Sequence, residues 1–130
     1  NYIPFVKADK LIFISGQVSM AIDGLIAGKL GLNIDLETGK RAARACGLNL
    51  LGQLKTACDG NLNKVQRVIK LGGFVNSTPN FIDAPTIING ASDLMVEIFG
   101  EKGRHARFAI GAASLPQGAA VEIDGVFEVK

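Results

Sequence analysis

A β-sheet with two helices laid across one face is the fold this sequence predicts. Three observations carry it. Short β-branched runs end in glycine or turn residues. Two longer stretches repeat apolar residues at spacings of three and four. The two kinds alternate in the order β-β-α-β-α-β-β. Each helix leaves one strand and returns to another, so both read as right-handed crossovers, which puts them on the same side of the sheet.

The first strand is the run Lys10-Leu-Ile-Phe-Ile-Ser15-Gly16, apolar and closed by glycine. Residues 17–27 read as further strand around the turn Asp23-Gly24. Residues 35–58 read as helix, with Ala43, Cys46, Leu50, Leu54, Ala57 and Cys58 on one face and Asp59-Gly60-Asn61 as the stop. Residues 65–75 form a strand pattern broken by Asn76-Ser77-Thr78-Pro79. Pro85 suits the first turn of a second helix. Its stripe is Ile88, Ala91, Met95, Ile98 and Phe99. Gly100 ends it, with Lys102 and Arg104 near its negative end. Strands at 106–112 and 119–129 close the chain.

The 130 residues fit one domain, residues 1–130, with enough surface to bury a core. Apolar residues make up 48% and charged residues 20%, a globular composition. A net charge of +2, scattered along the chain, argues against a nucleic-acid surface. Cys46 and Cys58 lie on one predicted helix about 18 Å apart, beyond disulfide reach. They read as reduced thiols of a cytoplasmic protein, without the clustering a metal needs. No stretch is long enough to span a membrane and no signal peptide is visible. Asn1-Tyr2-Ile3-Pro4 reads like the interior of a longer chain.

Arg107 is the residue with most chemical promise. It sits in a strand of small and apolar residues, where a charge is costly unless paired or bound. Its planar fork also suits a carboxylate. Alternation places Phe108 and Ile110 toward the helices and Arg107, Ala109 and Gly111 on the opposite face, with Glu122 on the same side as Arg107. So fine-grained a face fits a homo-oligomer better than open solvent. The simpler reading makes Arg107 and Glu122 a structural ion pair. Ser15 lacks a candidate base. His105, the single histidine, reads as a solvated or interface residue, and Ser92-Asp93 as part of the helix surface.

Tyr2, Leu11-Ile-Phe-Ile-Ser15-Gly16-Gln17, Asn89 near the helix start, Ala106-Arg107, Leu115-Pro116 and Val121-Glu122-Ile123 together resemble the Rid/YjgF family. Its members are described as reactive-intermediate deaminases and, in older naming, L-PSP endoribonucleases. The resemblance runs along nearly the whole chain. It implies an α+β, chorismate-mutase-like fold, a mixed sheet, and a homotrimer with clefts between subunits. It also implies hydrolysis of 2-imino acids to 2-oxo acids and ammonia without metal or cofactor.

Carried over position by position, the resemblance makes Arg107 the grip on the substrate carboxylate. Glu122 becomes the residue that places or activates water, and Gly16 a cleft-lining backbone. Tyr2 and Asn89 become cleft residues. Two positions depart from the pattern. Many family deaminases have a small polar residue and then cysteine after the arginine, whereas this chain has Phe108 and Ala109. Ala109 can then contribute only backbone groups to substrate binding. The segments from Asn89 to Leu94 and from Phe99 to Arg107 resemble a branch whose substrate is unsettled. The leading expectation is therefore an imine hydrolase acting on a small carboxylate. The alternative is a non-enzymatic sensor of such carboxylates, with an endoribonuclease third: there is no histidine pair, aromatic platform or basic patch.

Overall fold

The computed structural model describes all residues from Asn1 to Lys130. Seven strands form: β1 (Phe5–Ala8), β2 (Leu11–Val18), β3 (Met20–Ala21), β4 (Gly24–Leu25), β5 (Val65–Asn76), β6 (Ala106–Ala112) and β7 (Val121–Val129). The helices are α1 (Leu36–Ala57) and α2 (Ala84–Phe99). Five strands make one sheet in the order β1-β2-β7-β5-β6. Only β5 and β6, joined through α2, run parallel; the other neighbours are antiparallel. The sheet is thus mixed and the fold α+β.

Both helices lie on one face. Ile12, Ile14, Leu71, Val75, Ile123 and Phe127 of the strands share a single buried cluster with Ala43, Cys46, Leu50 and Leu54 of α1 and Ile88, Ala91 and Met95 of α2. These are the apolar stripes read from the sequence. α1 starts where expected because the Asp35 carboxylate accepts a 2.8 Å bond from the Thr38 N–H. That bond holds the Asp35 carboxyl below its usual pKa. α2 carries Pro85 in its first turn and stops at Gly100, whose φ of 63° favours glycine. Cys46 and Cys58 are buried free thiols. Burial, and then the Glu122 charge, push the Cys46 thiol far above its ordinary range.

Four details differ from the sequence reading. A short edge strand, β1, precedes the first expected strand. The stretch 17–27 breaks after Val18 into the two-residue strands β3 and β4, which form their own small sheet. β7 begins at Val121 rather than at 119. The fourth difference matters most: the faces of β6 are exchanged. Arg107 points at α2, and Ala109 packs against the buried cluster. Phe108 meets Phe74 edge-on at 5.2 Å, under the Lys70 ammonium, and Ile110 is exposed, both on the helix-free face. Glu122 pairs across β5 with Phe74, so it lies on that helix-free face too, opposite Arg107. The rule that bulky residues face the helices fails because the other face is apolar as well: Val6, Phe13, Phe74, Phe108 and Ile110 line it.

The two helices cross closely because glycine lies between them. A Cβ on Gly90 would land on the backbone carbonyl of Lys40 in α1. Gly90→Ala is expected to lower stability by about 1–3 kcal/mol through overpacking. Gly52, on the outside of α1 with nothing near its missing Cβ, is the control. Gly52→Ala is expected to raise stability by about 0.5–1 kcal/mol. Urea unfolding of both variants against the parent chain measures the opposite signs.

Candidate functional site

Two side chains and one backbone carbonyl of α2, with Arg107 of the edge strand β6, build the centre. Pro85, Asn89 and Ser92 follow one another at spacings of four and three, so they share one stripe of the helix. Arg107 reaches all three. Its Nη1 donates to Asn89 Oδ1 at 2.8 Å and to Ser92 Oγ at 3.0 Å, and its Nη2 donates to the Pro85 carbonyl at 3.3 Å. A guanidinium has five N–H donors. These bonds leave Nε–H and one Nη2–H for another partner. Every acceptor is neutral. The ion pairs of the chain join Lys40 to Glu37, Arg44 to Glu97, Lys64 to Asp59 and Arg104 to Glu101, and none involves Arg107.

The contact continues to the single histidine. Ser92 Oγ lies 2.9 Å from His105 Nε2, and His105 Nδ1 lies 2.6 Å from the Gly103 carbonyl. A carbonyl only accepts, so Nδ1 carries the proton and Nε2 accepts from the Ser92 hydroxyl; this network assigns the tautomer. Burial lowers the His105 pKa from its usual 6.5, the Gly103 carbonyl opposes the shift, and the Arg107 charge adds to it. Asn89, Ser92, His105 and Arg107 open into one shallow depression, walled by Val96 and Arg104.

The other expected site residues gather elsewhere. A Cβ on Gly16 would fall on the Glu122 carboxylate, so the glycine is what lets that side chain lie over β2. Ser15 N–H donates to the Pro4 carbonyl at 2.8 Å and Ser15 Oγ to the Ile3 carbonyl at 2.7 Å, tying the segment after the exposed Tyr2 to β2. Ser15 therefore holds backbone. The six residues expected in one site fall into two groups. Arg107, Asn89 and Ala109 are on the helix side near the β6 edge. Tyr2, Gly16 and Glu122 belong to the β1-β2-β7 side of the sheet, with Glu122 on the helix-free face. Arg107 and Glu122 do not meet within one chain.

Ser92 and His105 were missed as members of the Arg107 cluster, although the sequence carried a signal for each. His105 stands two residues before Arg107, so strand alternation puts both on one side. Ser92 stands three after Asn89 on the same helix stripe. The exchanged faces of β6 hid both relations.

Residues 1–124 match the family described as YjgF/chorismate mutase-like, putative endoribonuclease. The chain belongs to the YjgF family. Among YjgF relatives, protein TCP17 of Trypanosoma cruzi is 44% identical over 131 residues, covering 99% of this chain and 81% of TCP17. The crystal structure of Atu1372 from Agrobacterium tumefaciens, a protein described as of unknown function, is 46% identical with a TM-score of 0.97, over 100% of this chain and 82% of that one. A protein from Shewanella oneidensis, described as a putative endoribonuclease, is 33% identical with a TM-score of 0.94, over 99% and 85%. TM-scores this high mean that both structures share this chain's fold, the mixed sheet with two helices on one face.

His105 makes folding pH-dependent. Its folded pKa lies below 6.5, so between the two values the unfolded chain binds more proton. The stabilisation is complete above 6.5 and is lost as pH falls through the folded value. Urea unfolding is expected to show stability dropping from about pH 7.5 to about pH 5.5. His105→Gln should flatten that drop. An equally steep drop in the variant would assign it to carboxylates.

Proposed function

We propose that the chain hydrolyses a small imine bearing a carboxylate, a 2-imino acid, to the 2-oxo acid and ammonia. One observation carries this reading: Arg107 is a partly buried cation held by three neutral acceptors, with no acidic partner and with donors to spare. Such a group favours a bound anion. The side chain is already aimed, so less orienting entropy remains to be lost when substrate arrives.

The missing half of the site would come from a second copy. Tyr2, Gly16 and Glu122 cannot meet Arg107 of their own chain, and the helix-free face is apolar, with Val6, Phe13 and Ile110 about half exposed. Covering that face in a homotrimer would bury it and bring the two groups together at the subunit boundary. This face is not the fine-grained one of Arg107, Ala109 and Gly111 expected from the sequence. The surface that calls for a partner is the phenylalanine-bearing one.

In the step itself, Arg107 holds the carboxylate and Glu122 of the neighbouring copy takes a proton from water as oxygen attacks the C=N carbon. Glu122 passes this first proton to the nitrogen, giving the carbinolamine. It then takes the hydroxyl proton as the C=O bond forms and the C–N bond breaks, and returns it to the nitrogen, which leaves as ammonia carrying both protons of the water. Backbone groups at Gly16 and Ala109 orient the imine. General acid–base help of this kind contributes about 10²–10⁴ in rate. No metal or cofactor takes part. The second reading, a sensor that binds a 2-oxo acid without turnover, is favoured by Ala109 at the position where many family deaminases have cysteine. RNA is the least favoured ligand, since the one histidine is engaged by Ser92 and Gly103. No helix is long and apolar enough to cross a membrane.

Arg107→Lys is expected to fold and assemble, while turnover of a 2-imino acid or affinity for a 2-oxo acid falls about ten- to a hundredfold, because the ammonium loses the fork. Glu122→Gln is expected to lower turnover while 2-oxo acid affinity stays within a few fold. Unchanged turnover in both variants would exclude the site; binding without turnover in the parent chain selects the sensor. Sedimentation at micromolar concentration is expected to give a trimer, and a monomer would remove the shared cleft.

A further inference from the structure

The Ser92–His105 pair is not used by the chemistry above. A hydroxyl has one hydrogen and two lone pairs. In the structure one lone pair of Ser92 accepts from Arg107 Nη1, and its hydrogen goes to His105 Nε2. The histidine has no freedom to choose otherwise, because Nδ1–H is committed to the Gly103 carbonyl. A second proton on the ring can enter only at Nε2. Nε2–H must then donate, and Ser92 Oγ is the acceptor beside it. Both lone pairs of Oγ are then taken by cations, and the hydroxyl hydrogen has to turn away. It turns either into the depression that Arg107 lines or back to the helix carbonyl of Ile88 one turn earlier.

We propose that Ser92 and His105 are a proton-operated extension of the carboxylate grip: they position Arg107, and when the ring gains its second proton the Ser92 hydroxyl becomes a further donor to the same bound carboxylate. The proposal rests on the reading of Arg107 as carboxylate anchor and adds to it a direction of pH response. Acid strengthens the grip. Ligand binding in turn draws a proton onto His105, since the coupling is reciprocal.

The surrounding charges permit this assignment. Asp93 on α2, Arg104 in the turn before β6 and Arg107 on β6 share the depression with His105. Arg67 on β5 is bonded to the Arg104 carbonyl at 2.9 Å. Arginines stay charged, and carboxylates ordinarily titrate near pH ~4. Between about pH 5.5 and pH 8 the imidazole is therefore the group of this depression that changes charge. It is also the chain's only histidine, so its ring resonances need no assignment.

The test uses pyruvate, a minimal 2-oxo acid, with the full chain. Calorimetry is expected to give binding about three- to tenfold tighter at about pH 5.5 than at about pH 8. Proton NMR of the ring is expected to show its pKa rising by about 0.5–1 unit on saturation, the same coupling read from the other side. His105→Gln should bind equally at both pH values, Ser92→Ala should lose most of the slope and keep only the part that the direct charge coupling of His105 and Arg107 produces, and Ser92→Thr keeps the slope. The NMR titration needs no variant, so a misfolded variant cannot hide the answer. Pyruvate binding that is flat with pH in the parent chain, with an unmoved ring pKa, overturns the proposal and leaves the anchor standing. So does a slope that survives His105→Gln. No pyruvate binding at either pH, with Arg107→Lys behaving like the parent, overturns anchor and extension together.

Discussion

The placement of α2 against β6 is the constraint on which the site depends. An arginine on an edge strand would ordinarily extend into water. Here the guanidinium is drawn back by three oxygens on one stripe of a helix, two from side chains and one from the backbone. That stripe faces Arg107 only because α2 sits close to the sheet. Gly73 makes room for it, since a Cβ there would collide with Ile88. Gly90 does the same on the far side of the helix, against α1. Two missing side chains therefore set the height of the helix, and the height sets the aim of the arginine. The local hydrogen bonds are individually modest, near 1 kcal/mol net for a typical one. Together they convert a mobile side chain into a fixed donor.

The secondary structure was largely readable because its signals are local. Period-3.6 stripes, the Asp35 cap, Pro85 and Gly100 act within a turn or two of chain, and the helices and main strands appear close to where those signals put them. β1 was not readable. Phe5-Val-Lys-Ala8 has no strong pattern and becomes a strand because β2 offers an open edge and Ser15 ties down the preceding carbonyls. Residues 17–27 failed for a related reason: the turn Asp23-Gly24 was visible, but nothing local reports that Val18 leaves the main sheet. Those are decisions of tertiary structure.

The faces of β6 show a different limit. Alternation correctly separated Arg107 and Ala109 from Phe108 and Ile110. What it could not say is which set meets the helices. A one-sided sheet answers by burying its bulk, but this sheet is apolar on both sides, so bulk carries no direction. Arg107 and Gly16 were found by residue type and by resemblance. Their separation from one another, like the Ser92–His105 contact, needed the third dimension. The division of the expected residues into two groups is likewise something that no single strand pattern contains.

Ala109 has a chemical consequence of its own. It stands beside the arginine where many family deaminases have a cysteine, and the chain's two actual thiols are sealed in the interior, one with its ionisation strongly suppressed. Oxidants attack thiolates that they can reach. Position 109 therefore offers peroxide or hypochlorite no thiol beside Arg107, so this spot is insensitive to an oxidant that would modify a cysteine there, and it gives up the means of being switched by one.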